Sequence, residues 1–281
     1  TGKSNEVFQS IRQTDALVHV VRCFDNDEIF LEPADAKRDA EAFDLELILA
    51  DIEIVERRLE RAKKNAKSGD KKYKRECEMC EALIAHLTDE KSARSFEFTD
   101  EDSDILVDGG LLTVKPVIYA ANLDEDGMMN LDTNANFAAL KKIADEQGAA
   151  VLPVAAKFEE DIAGMEPDEA EMFMADLGLT ETGLDRLIKT SYDLLGYISF
   201  LTAGEDDVHA WTITRGTKAP KAAGKVHSDI ERGFIRAEIV AFDDLKACGS
   251  MAAAKEKGLL RLEGKDYVMQ DGDITNFRFN I

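Results

Sequence analysis

The chain has 281 residues, of which 44% are hydrophobic and 33% charged, and it carries a formal net charge of −22. This balance predicts a soluble globular protein of two or three domains and argues against an all-over nucleic-acid coat, so such a contact is expected only at a local patch. No apolar run approaches the ~18 residues of a membrane span, and there is no secretory leader or disulfide pattern among the four cysteines, so we expect no membrane partner and a cytoplasmic location.

The first residues, Thr1-Gly2-Lys3-Ser4, resemble the end of a phosphate-binding loop, GxxxxGK followed by Ser or Thr. Such a loop needs a preceding strand and four spacers after its first glycine, because its backbone N–H groups and the following helix hold the phosphates. Only the tail of the pattern is present. A helix start that leads into residues 5–13 is the favoured interpretation.

Residues 17–24 (LVHVVRCF) form an apolar run that predicts a buried strand, in which His19 and Cys23 are packing residues. From Asp35 the apolar spacing changes to three and four, which predicts a long helix and, beyond a turn at residues 68–70, a second helix. Two apolar seams joined by a tight turn predict an antiparallel helical hairpin. The seams consist of Leu45, Ile48, Ile52, Val55, Leu59, Ala62 and Ala66, and of Tyr73, Cys77, Cys80, Ile84 and Leu87.

Cys77 and Cys80 form a CxxC pair, but a zinc site needs four ligands and no second pair has suitable spacing. Packing is therefore favoured, and a zinc or redox site is the weakest alternative. Residues 57–75, the hairpin tip, are rich in basic side chains and allow two interpretations, a solvated helix face or a surface that reaches an anionic partner. The tip's basic residues are Arg57, Arg58, Arg61, Lys63, Lys64, Lys67, Lys71, Lys72, Lys74 and Arg75.

The stretch KPVIYAANLDEDG (residues 115–127) follows an acidic connector at residues 99–108. Its β-branched and aromatic run stops at Asn122 and gives way to acids and a glycine, which predicts a buried parallel strand with a loop at its carboxyl end. In doubly wound α/β folds, ligands bind outside those carboxyl ends. Residues 122–125 therefore lie where a ligand can bind.

A helix at residues 135–147 and a strand at residues 149–156 follow, and this order predicts a crossover between two parallel neighbours. The loops after Ala121 and Val154 should then open on the same edge of the sheet. Residues 158–161 are expected to continue the second loop, and residues 181–195 to form a closing helix.

The last part of the chain has short strands and many turn signals, which predict a small mixed sheet around one helix at residues 222–231. The expected strands are residues 199–203, 208–214, 234–242, 266–269 and 274–279. Residues 209–236 contain six basic residues against two acids, which favours a phosphate-binding surface over chance clustering. This basic patch consists of Arg215, Lys218, Lys221, Lys225, Arg232 and Arg236.

GTPases read guanine with an asparagine, a lysine and an aspartate. The residues after the central strand keep the asparagine, Asn122, and differ at the other two positions. Leu123 stands at the lysine position and Glu125 at the aspartate position. The longer glutamate arm moves the carboxylate away from guanine, and the amide of Asn122 offers a donor and an acceptor together. These differences favour adenine, with Leu123 supplying its backbone and an apolar contact. An Asn/Asp-rich turn without a ligand is the alternative.

The order of these segments resembles the Obg-like ATPase family, also called YchF. The resemblance covers residues 5–281 and rests above all on IRQTDALVHVVRCF, the NLDE loop, AGKVHSDIERGFIRAE and EGKDYVMQDGDITNFRFN. It implies an α/β fold: a partial P-loop NTPase-type parallel sheet, an inserted antiparallel coiled-coil hairpin and a carboxyl-terminal TGS domain of the β-grasp type. The implied domains are residues 1–34 with 100–197 for nucleotide binding, 35–99 for the hairpin and 198–281 for the TGS domain.

The resemblance also implies an ATP-preferring nucleotide-binding protein that works with the ribosome or ribosomal RNA and not with DNA. GTP is the less favoured nucleotide. By position, Asn122 is similar to the base-reading asparagine, Leu123 to the residue whose main chain touches adenine and Glu125 to the family's glutamate. Ala155 and Ala156 match the loop that closes over the base.

In the family, the phosphate loop, the first switch and the metal-binding DxxG segment lie before the residues that match Asn5, and Gly2, Lys3 and Ser4 match a glycine-rich stretch after the second switch. The chain is thus expected to be amino-terminally incomplete, with no catalytic or metal-binding residues of its own. Mg²⁺ is expected only in the intact family, and we expect the chain to keep base recognition without hydrolysing ATP. The alternative is a non-catalytic adaptor in which the hairpin and TGS domain hold ribosomal RNA or protein.

Overall fold

A computed structural model describes residues 2–26 (backbone only for 2–5), 28, 32–67, 69–99, 102, 110–204 and 207–280. The predicted acidic connector, except Thr99 and Asp102, lies outside the described residues, as does Ser68 of the predicted turn. The chain divides into two units, Thr1–Thr190 and Ser191–Ile281. None of the described helices is both long and apolar enough to span a membrane.

The sheet of the first unit has three parallel strands in the order β1-β2-β3. The strands are β1 (Leu17–Arg22), β2 (Val117–Asn122) and β3 (Ala150–Val154). Five of the six residues of the central strand are buried, which confirms the predicted buried strand. The parallel pairing of β2 with β3 confirms the predicted crossover topology, and it places Asn122 opposite Val154.

Helices surround this sheet and confirm most of the predicted order. They are α1 (Gly2–Arg12), α2 (Ala36–Ala66), α3 (Lys71–Thr88), α4 (Glu125–Met129), α5 (Ala135–Gln147), α6 (Ala156–Ile162), α7 (Pro167–Asp176) and α8 (Gly183–Leu195), which spans the division between the units. Short 3-10 turns lie at Ala93–Ser95 and Leu131–Thr133. Helix α5 has the predicted bounds and ends at Gly148, whose positive φ of 63° suits a glycine.

The prediction that residues 158–161 continue a loop is wrong, because they belong to α6. Phe158 and Ile162 are four residues apart and both buried, so one face of this short helix packs on the core of the first unit. Glu159 accepts a hydrogen bond from the Gly183 N–H at 2.6 Å. The run of acids hid the apolar spacing in the sequence.

Helices α2 and α3 form the predicted hairpin, with Val55, Cys80, Leu83 and Leu87 in its buried seam. Cys80 is fully buried, and burial raises the pKa of its thiol to about 11, which confirms the packing interpretation for this residue. The first seam is displaced at its start. Leu45 is exposed whereas Leu47 is buried, because α2 contacts β1 and α5 as well as α3.

A buried carboxylate fixes the hairpin to the rest of its unit. Asp51 of α2 is fully buried and accepts hydrogen bonds from the backbone N–H groups of Leu112 (2.7 Å) and Thr113 (2.8 Å), and from the Thr113 hydroxyl (2.7 Å). Burial raises the pKa of Asp51, and the three donors oppose that rise. Three donors compensate much of the cost of burying the acid.

The second unit contains a mixed five-stranded sheet in the order β5-β4-β8-β6-β7. Its strands are β4 (Tyr197–Ala203), β5 (Val208–Thr214), β6 (Phe234–Ala241), β7 (Arg261–Glu263) and β8 (Asp273–Phe279). The hairpin of β4 and β5, the parallel pairing of β4 with β8 and the helix that follows β5 give the expected β-grasp arrangement. The helices are α9 (Ala219–Val226), α10 (Ser228–Arg232), α11 (Phe242–Cys248) and α12 (Met251–Glu256).

Two predictions for this unit are wrong. The helix expected at residues 222–231 is divided into α9 and α10 at His227, whose extended backbone and side-chain acceptor begin the second helix. Residues 266–269 contribute only an isolated bridge from Val268 to Lys218, and β7 pairs with β6 instead. The Tyr267 carbonyl accepts the Ala219 N–H, so this segment bonds to the start of α9 rather than to a strand.

Candidate functional site

The loops after β2 and β3 are joined by two hydrogen bonds. The Leu123 N–H donates to the Val154 carbonyl at 2.8 Å, and the Ala156 N–H donates to Asn122 Oδ1 at 3.2 Å. Residues from the ends of two parallel strands therefore adjoin at one edge of the sheet, as the sequence predicted. The structure thus brings Asn122 and Leu123 together with Ala155 and Ala156.

The Asn122 side chain is half-buried and has hydrogen-bonding capacity left over. Its carbonyl oxygen takes one bond from Ala156, and a second lone pair and both amide hydrogens have no described partner in the residues around it. The bond to Ala156 fixes the orientation of the amide plane. A planar ligand that offers both an acceptor and a donor matches this arrangement.

Leu123 differs from the expectation in one respect. Its side chain is only 2% exposed and packs in the core of the first unit with residues such as Tyr119 and Ala155. The expected apolar contact with a ligand is therefore closed off by packing, and the main chain is the part of Leu123 that borders the loop.

The two acids that follow Leu123 have separate roles. Asp124 is the N-cap of α4 and accepts the Gly127 N–H at 2.8 Å, whereas Glu125 is the exposed first residue of that helix. A Cβ at Gly127 would lie 2.9 Å from Asp124 Oδ1 and 3.0 Å from Leu123 Cδ2. A side chain at Gly127 would therefore crowd the capping carboxylate of Asp124. Glu125 makes no described hydrogen bond within the loop.

A cavity of about 460 Å³ lies beside these loops, toward the end of β1. Its lining includes Asp25, Asp124 and Asp126 but neither Asn122 nor Ala156. Carboxylates disfavour a phosphate, so the cavity does not suit the charged end of a nucleotide. The described residues contain no group of three or more His, Cys, Asp or Glu placed to hold a metal ion.

A partly buried polar network supports the central strand. The Tyr119 hydroxyl lies 2.8 Å from Asp44 Oδ2 and 3.0 Å from Gln147 Oε1, and Arg94 Nη1 donates to the same Gln147 oxygen at 3.1 Å. Burial and the neighbouring Asp44 raise the pKa of Tyr119, so the phenol stays protonated. Sequence reasoning missed these residues because they come from distant segments and share no spacing pattern.

His19 and Cys23 pack as predicted. The His19 ring lies between those of Phe43 and Tyr119, with centroid distances of 4.8 and 5.4 Å. Burial lowers the pKa of His19 despite the nearby Asp44, and Cys23 is only 1% exposed. Both residues contribute to packing beneath the edge that carries Asn122.

The basic patch of the second unit is largely neutralised. Four of its six members make ion pairs with carboxylates, and Lys225 and Arg236 have none with any described residue. The pairs are Arg215–Asp193 (3.5 Å), Lys218–Asp266 (2.8 Å), Lys221–Glu231 (2.6 Å) and Arg232–Asp229. The patch is therefore less positive than its sequence indicates.

Comparisons with known proteins agree with this architecture. Residues 197–280 match a family model, YchF-GTPase_C, described as a protein of unknown function (DUF933). The whole chain is similar to the "Ribosome-binding ATPase YchF" of Bacillus subtilis (49% identity, 77% of that protein) and to "Obg-like ATPase 1" of Oryza sativa subsp. japonica (40% identity, 72% of that protein). The solved "Structure of the Schizosaccharomyces pombe YchF GTPase" matches 98% of this chain and 75% of its own, with 33% identity and a TM-score of 0.83.

Proposed function

Since this chain belongs to the YchF and Obg-like ATPase family, we propose that it binds an adenine nucleotide and associates with the ribosome. The observation that supports base binding best is the hydrogen bond from the Ala156 N–H to Asn122 Oδ1. It holds a half-buried amide at the carboxyl edge of the sheet with donors and an acceptor still available.

Adenine presents an amino group beside a ring nitrogen, which an amide can pair with in one plane. In this proposal Asn122 reads that edge, the Leu123 main chain borders the ring, and Ala155 and Ala156 close over it. Glu125 remains exposed nearby and acts against guanine, because its longer arm moves the carboxylate away from the position of the guanine-pairing aspartate. The preference for ATP over GTP follows from these contacts.

Our proposal does not extend to the phosphates or Mg²⁺. The acid-lined cavity beside the loops disfavours phosphate, and the described residues contain no group of three or more His, Cys, Asp or Glu placed to hold a metal ion. The names of two relatives include ATPase, but our proposal for this chain concerns recognition of the base. For the ribosome, it includes the basic patch (Arg215, Lys218, Lys221, Lys225, Arg232 and Arg236) as a contact with phosphates.

Equilibrium binding of a fluorescent adenine nucleotide tests base recognition. Asn122→Ala removes two hydrogen bonds, at about 0.7 kcal/mol each, and should weaken binding about tenfold. The matched control is Asn276→Ala, whose exposed amide bonds to Glu238 in the second unit and which should bind like the parent. Equal affinity of the Asn122 variant and the parent would reject the proposal.

Nucleotide choice is tested by displacement of the same probe. Unlabelled ATP should displace it at lower concentration than GTP, and Glu125→Asp should narrow that difference by restoring the shorter arm. A parent chain that favours GTP contradicts the assignment to adenine. The ribosome association is tested separately, by cosedimentation of the chain with ribosomes.

The adaptor hypothesis keeps one supporting observation, the high positive charge of the hairpin tip. An adaptor binds ribosomes or RNA without any nucleotide. Absence of nucleotide binding in both the parent and the Asn122 variant, with cosedimentation retained, would favour this second function.

A further inference from the structure

The two edge strands of the second unit's sheet differ in how open they are to a further strand. At one end lies β7, which has three residues, two of them charged, Arg261 and Glu263. At the other end lies β5, whose seven residues include no proline and no Lys, Arg, Asp or Glu. Short length and charge protect an edge strand from further pairing, and β5 has neither protection. The edge of β5 is therefore the one that another strand can join.

The backbone groups of β5 alternate between β4 and the open edge. The Arg215 N–H donates to the Gly196 carbonyl at one end of the ladder (2.7 Å), and the Gly204 N–H donates to the Asp207 carbonyl at the other (2.8 Å). Because the register between these bonds is unbroken, every second residue of β5 directs its N–H and C=O groups outward. These residues are Val208, Ala210, Thr212 and Thr214.

Most of these outward groups have no described partner. The turn after β5 uses one of them, since the Thr217 N–H and hydroxyl both donate to the Thr214 carbonyl. No described strand or isolated bridge pairs with the others. The edge thus offers N–H donors and C=O acceptors in the alternation that another peptide backbone can complement.

A groove of about 450 Å³ lies beside this edge. Its described lining includes Thr212 and Thr214 of β5, Lys221 and Lys225 of helix α9, and no Asp or Glu. Ile213, which also lines it, is only 3% exposed and belongs to the core that β5 shares with α9. A groove between an edge strand and a helix suits an extended chain, which bonds to the strand and places alternate side chains against the helix.

The two lysines give this groove its positive charge. Lys225 makes no ion pair with any described residue, and Lys221 pairs with Glu231 at 2.6 Å. The two side chains of that pair are 75% and 34% exposed, so the pair contributes little and Lys221 can exchange its partner. The lysines lie four positions apart, about 6 Å along the helix, and alternate residues of a strand are about 6.7 Å apart. Two acids two positions apart on a bound strand therefore match Lys221 and Lys225.

We propose that the edge of β5 binds an extended acidic segment of a partner protein as an additional strand of the sheet. Main-chain hydrogen bonds to the outward groups hold the segment, and Lys221 and Lys225 select acids at alternate positions. The inference goes beyond the proposed function and does not depend on nucleotide binding. Both lysines belong to the basic patch, so the segment and ribosomal phosphates compete for them.

The chemistry of the edge disfavours two other occupants. RNA phosphates can pair with the lysines, but they carry only acceptors and leave the outward carbonyls of Val208, Ala210 and Thr212 without donors. A second copy of this chain, joined through its own β5, brings no acid to the groove, because β5 contains none. A peptide backbone with acidic side chains satisfies both the edge and the lysines.

The probe is a fluorescein-labelled peptide of alternating glutamate and threonine, about eight residues long so that it spans all of β5. Fluorescence anisotropy measures its binding to the whole chain. Two isomers of the peptide carry N-methyl groups, one on its glutamates and one on its threonines, so that charge and methyl count are matched. Only one set of alternate N–H groups faces β5 in an added strand. One isomer should therefore bind within about threefold of the parent peptide, and the other should lose at least about tenfold in affinity.

The lysines are tested on the protein. Lys221→Gln with Lys225→Gln should weaken binding of the parent peptide at least about tenfold. The control, Lys246→Gln with Lys255→Gln, removes two exposed lysines of the second unit that make no described ion pair, and should stay within about twofold of the parent. Circular dichroism verifies that both variants are folded.

Hydrogen exchange at the Ala210 and Thr212 amides should slow when the parent peptide binds, because these N–H groups gain acceptors. Equal affinities of the two isomers, equal losses in the two lysine variants, or no peptide binding below about 1 mM would overturn the proposal. Equal affinities of the isomers together with displacement by an RNA duplex would assign the groove to phosphates instead. Adenine-nucleotide binding should not change in the lysine variants, which separates this result from the test at Asn122.

Discussion

The hairpin tip and the basic patch look alike in sequence, yet the fold treats their charges differently. In the patch, four of six basic residues meet carboxylates, two of which, Asp193 and Asp266, lie outside the basic segment. In the tip, six basic residues make no ion pair with any described residue. A basic run in a sequence therefore gives a positive surface only where folding brings no acids to it.

The largest effect is expected from removing the carboxylate that bonds the hairpin to the rest of its unit, a change that leaves every basic residue of the tip in place. Asp51→Ala leaves the N–H groups of Leu112 and Thr113 and the Thr113 hydroxyl without their acceptor, and should lower the free energy of unfolding by about 3–5 kcal/mol. Urea denaturation measures the loss.

Asp51→Asn is the matched variant, since it keeps the shape and one acceptor oxygen and should lose less. RNA binding by a loosened hairpin should weaken although every tip lysine is retained. A stability equal to that of the parent in Asp51→Ala would show that the carboxylate does not hold the hairpin.

The second unit can be perturbed through a glycine within its basic segment. A Cβ at Gly233 would overlap the backbone carbonyl oxygen of Asn280, so Gly233→Ala forces β6 and β8 apart and should cost about 2–4 kcal/mol. Thermal unfolding monitored by the fluorescence of Trp211, which packs against this core, reports the loss.

Gly224→Ala is the control, because its added Cβ meets the end of a flexible side chain, Glu231, rather than backbone. That side chain can turn away, at the cost of its exposed ion pair with Lys221, so the loss should stay below about 1 kcal/mol. Equal losses in the two variants would contradict the backbone overlap at Gly233.

A smaller change should make the basic patch behave more like the tip. Asp193→Asn with Asp266→Asn frees Arg215 and Lys218 from their carboxylates and should raise RNA affinity about three- to tenfold, with a steeper salt dependence. The matched control, Asp168→Asn with Asp185→Asn, makes the same change of net charge at two acids that form no ion pair with a patch residue. Equal gains in both double variants would mean that total charge, not local pairing, sets the difference.

The smallest effect on RNA affinity and melting temperature is expected from treatments directed at the hairpin's cysteines. Because Cys80 is fully buried and burial raises the pKa of its thiol to about 11, iodoacetamide at pH 8 should label it at least a hundredfold more slowly than in the urea-unfolded chain. Mass spectrometry of peptides locates the label.

EDTA should leave both RNA affinity and the melting temperature unchanged, and a drop in either would revive the metal interpretation of the CxxC pair.

Local patterns in the sequence predicted much of the fold. The strand at residues 208–214 and the helix at residues 135–147 have the predicted bounds, because alternation and a glycine stop define them locally. The adjacency of Asn122 and Ala156 followed from parallel topology alone. The error at residues 158–161 arose because the buried face of a seven-residue helix is too short to outweigh three successive acids at residues 159–161.

Hydrogen bonds and ion pairs of side chains with residues far away in the sequence could not be predicted. Asp51 bonds to residues 61 and 62 positions away, and Asp44 meets Tyr119 across 75 positions. Nothing in the local spacing of Asp51 distinguishes it from the exposed acids of the same helix, so its burial depends on where the chain returns. The neutralisation of Lys218 by Asp266, 48 positions later, was hidden for the same reason.

Gly183 leaves room for two neighbours of the loops that follow β2 and β3. A methyl group there would come within 2.7 Å of Glu159 Oε1 and 3.3 Å of Val154 Cγ1, and Val154 is the residue whose carbonyl receives the Leu123 N–H. The packing of Val154 next to the loops thus depends on the absence of a side chain at Gly183, 60 positions after Leu123. A side chain at that position would displace the Glu159 carboxylate and crowd the Val154 side chain at the end of β3.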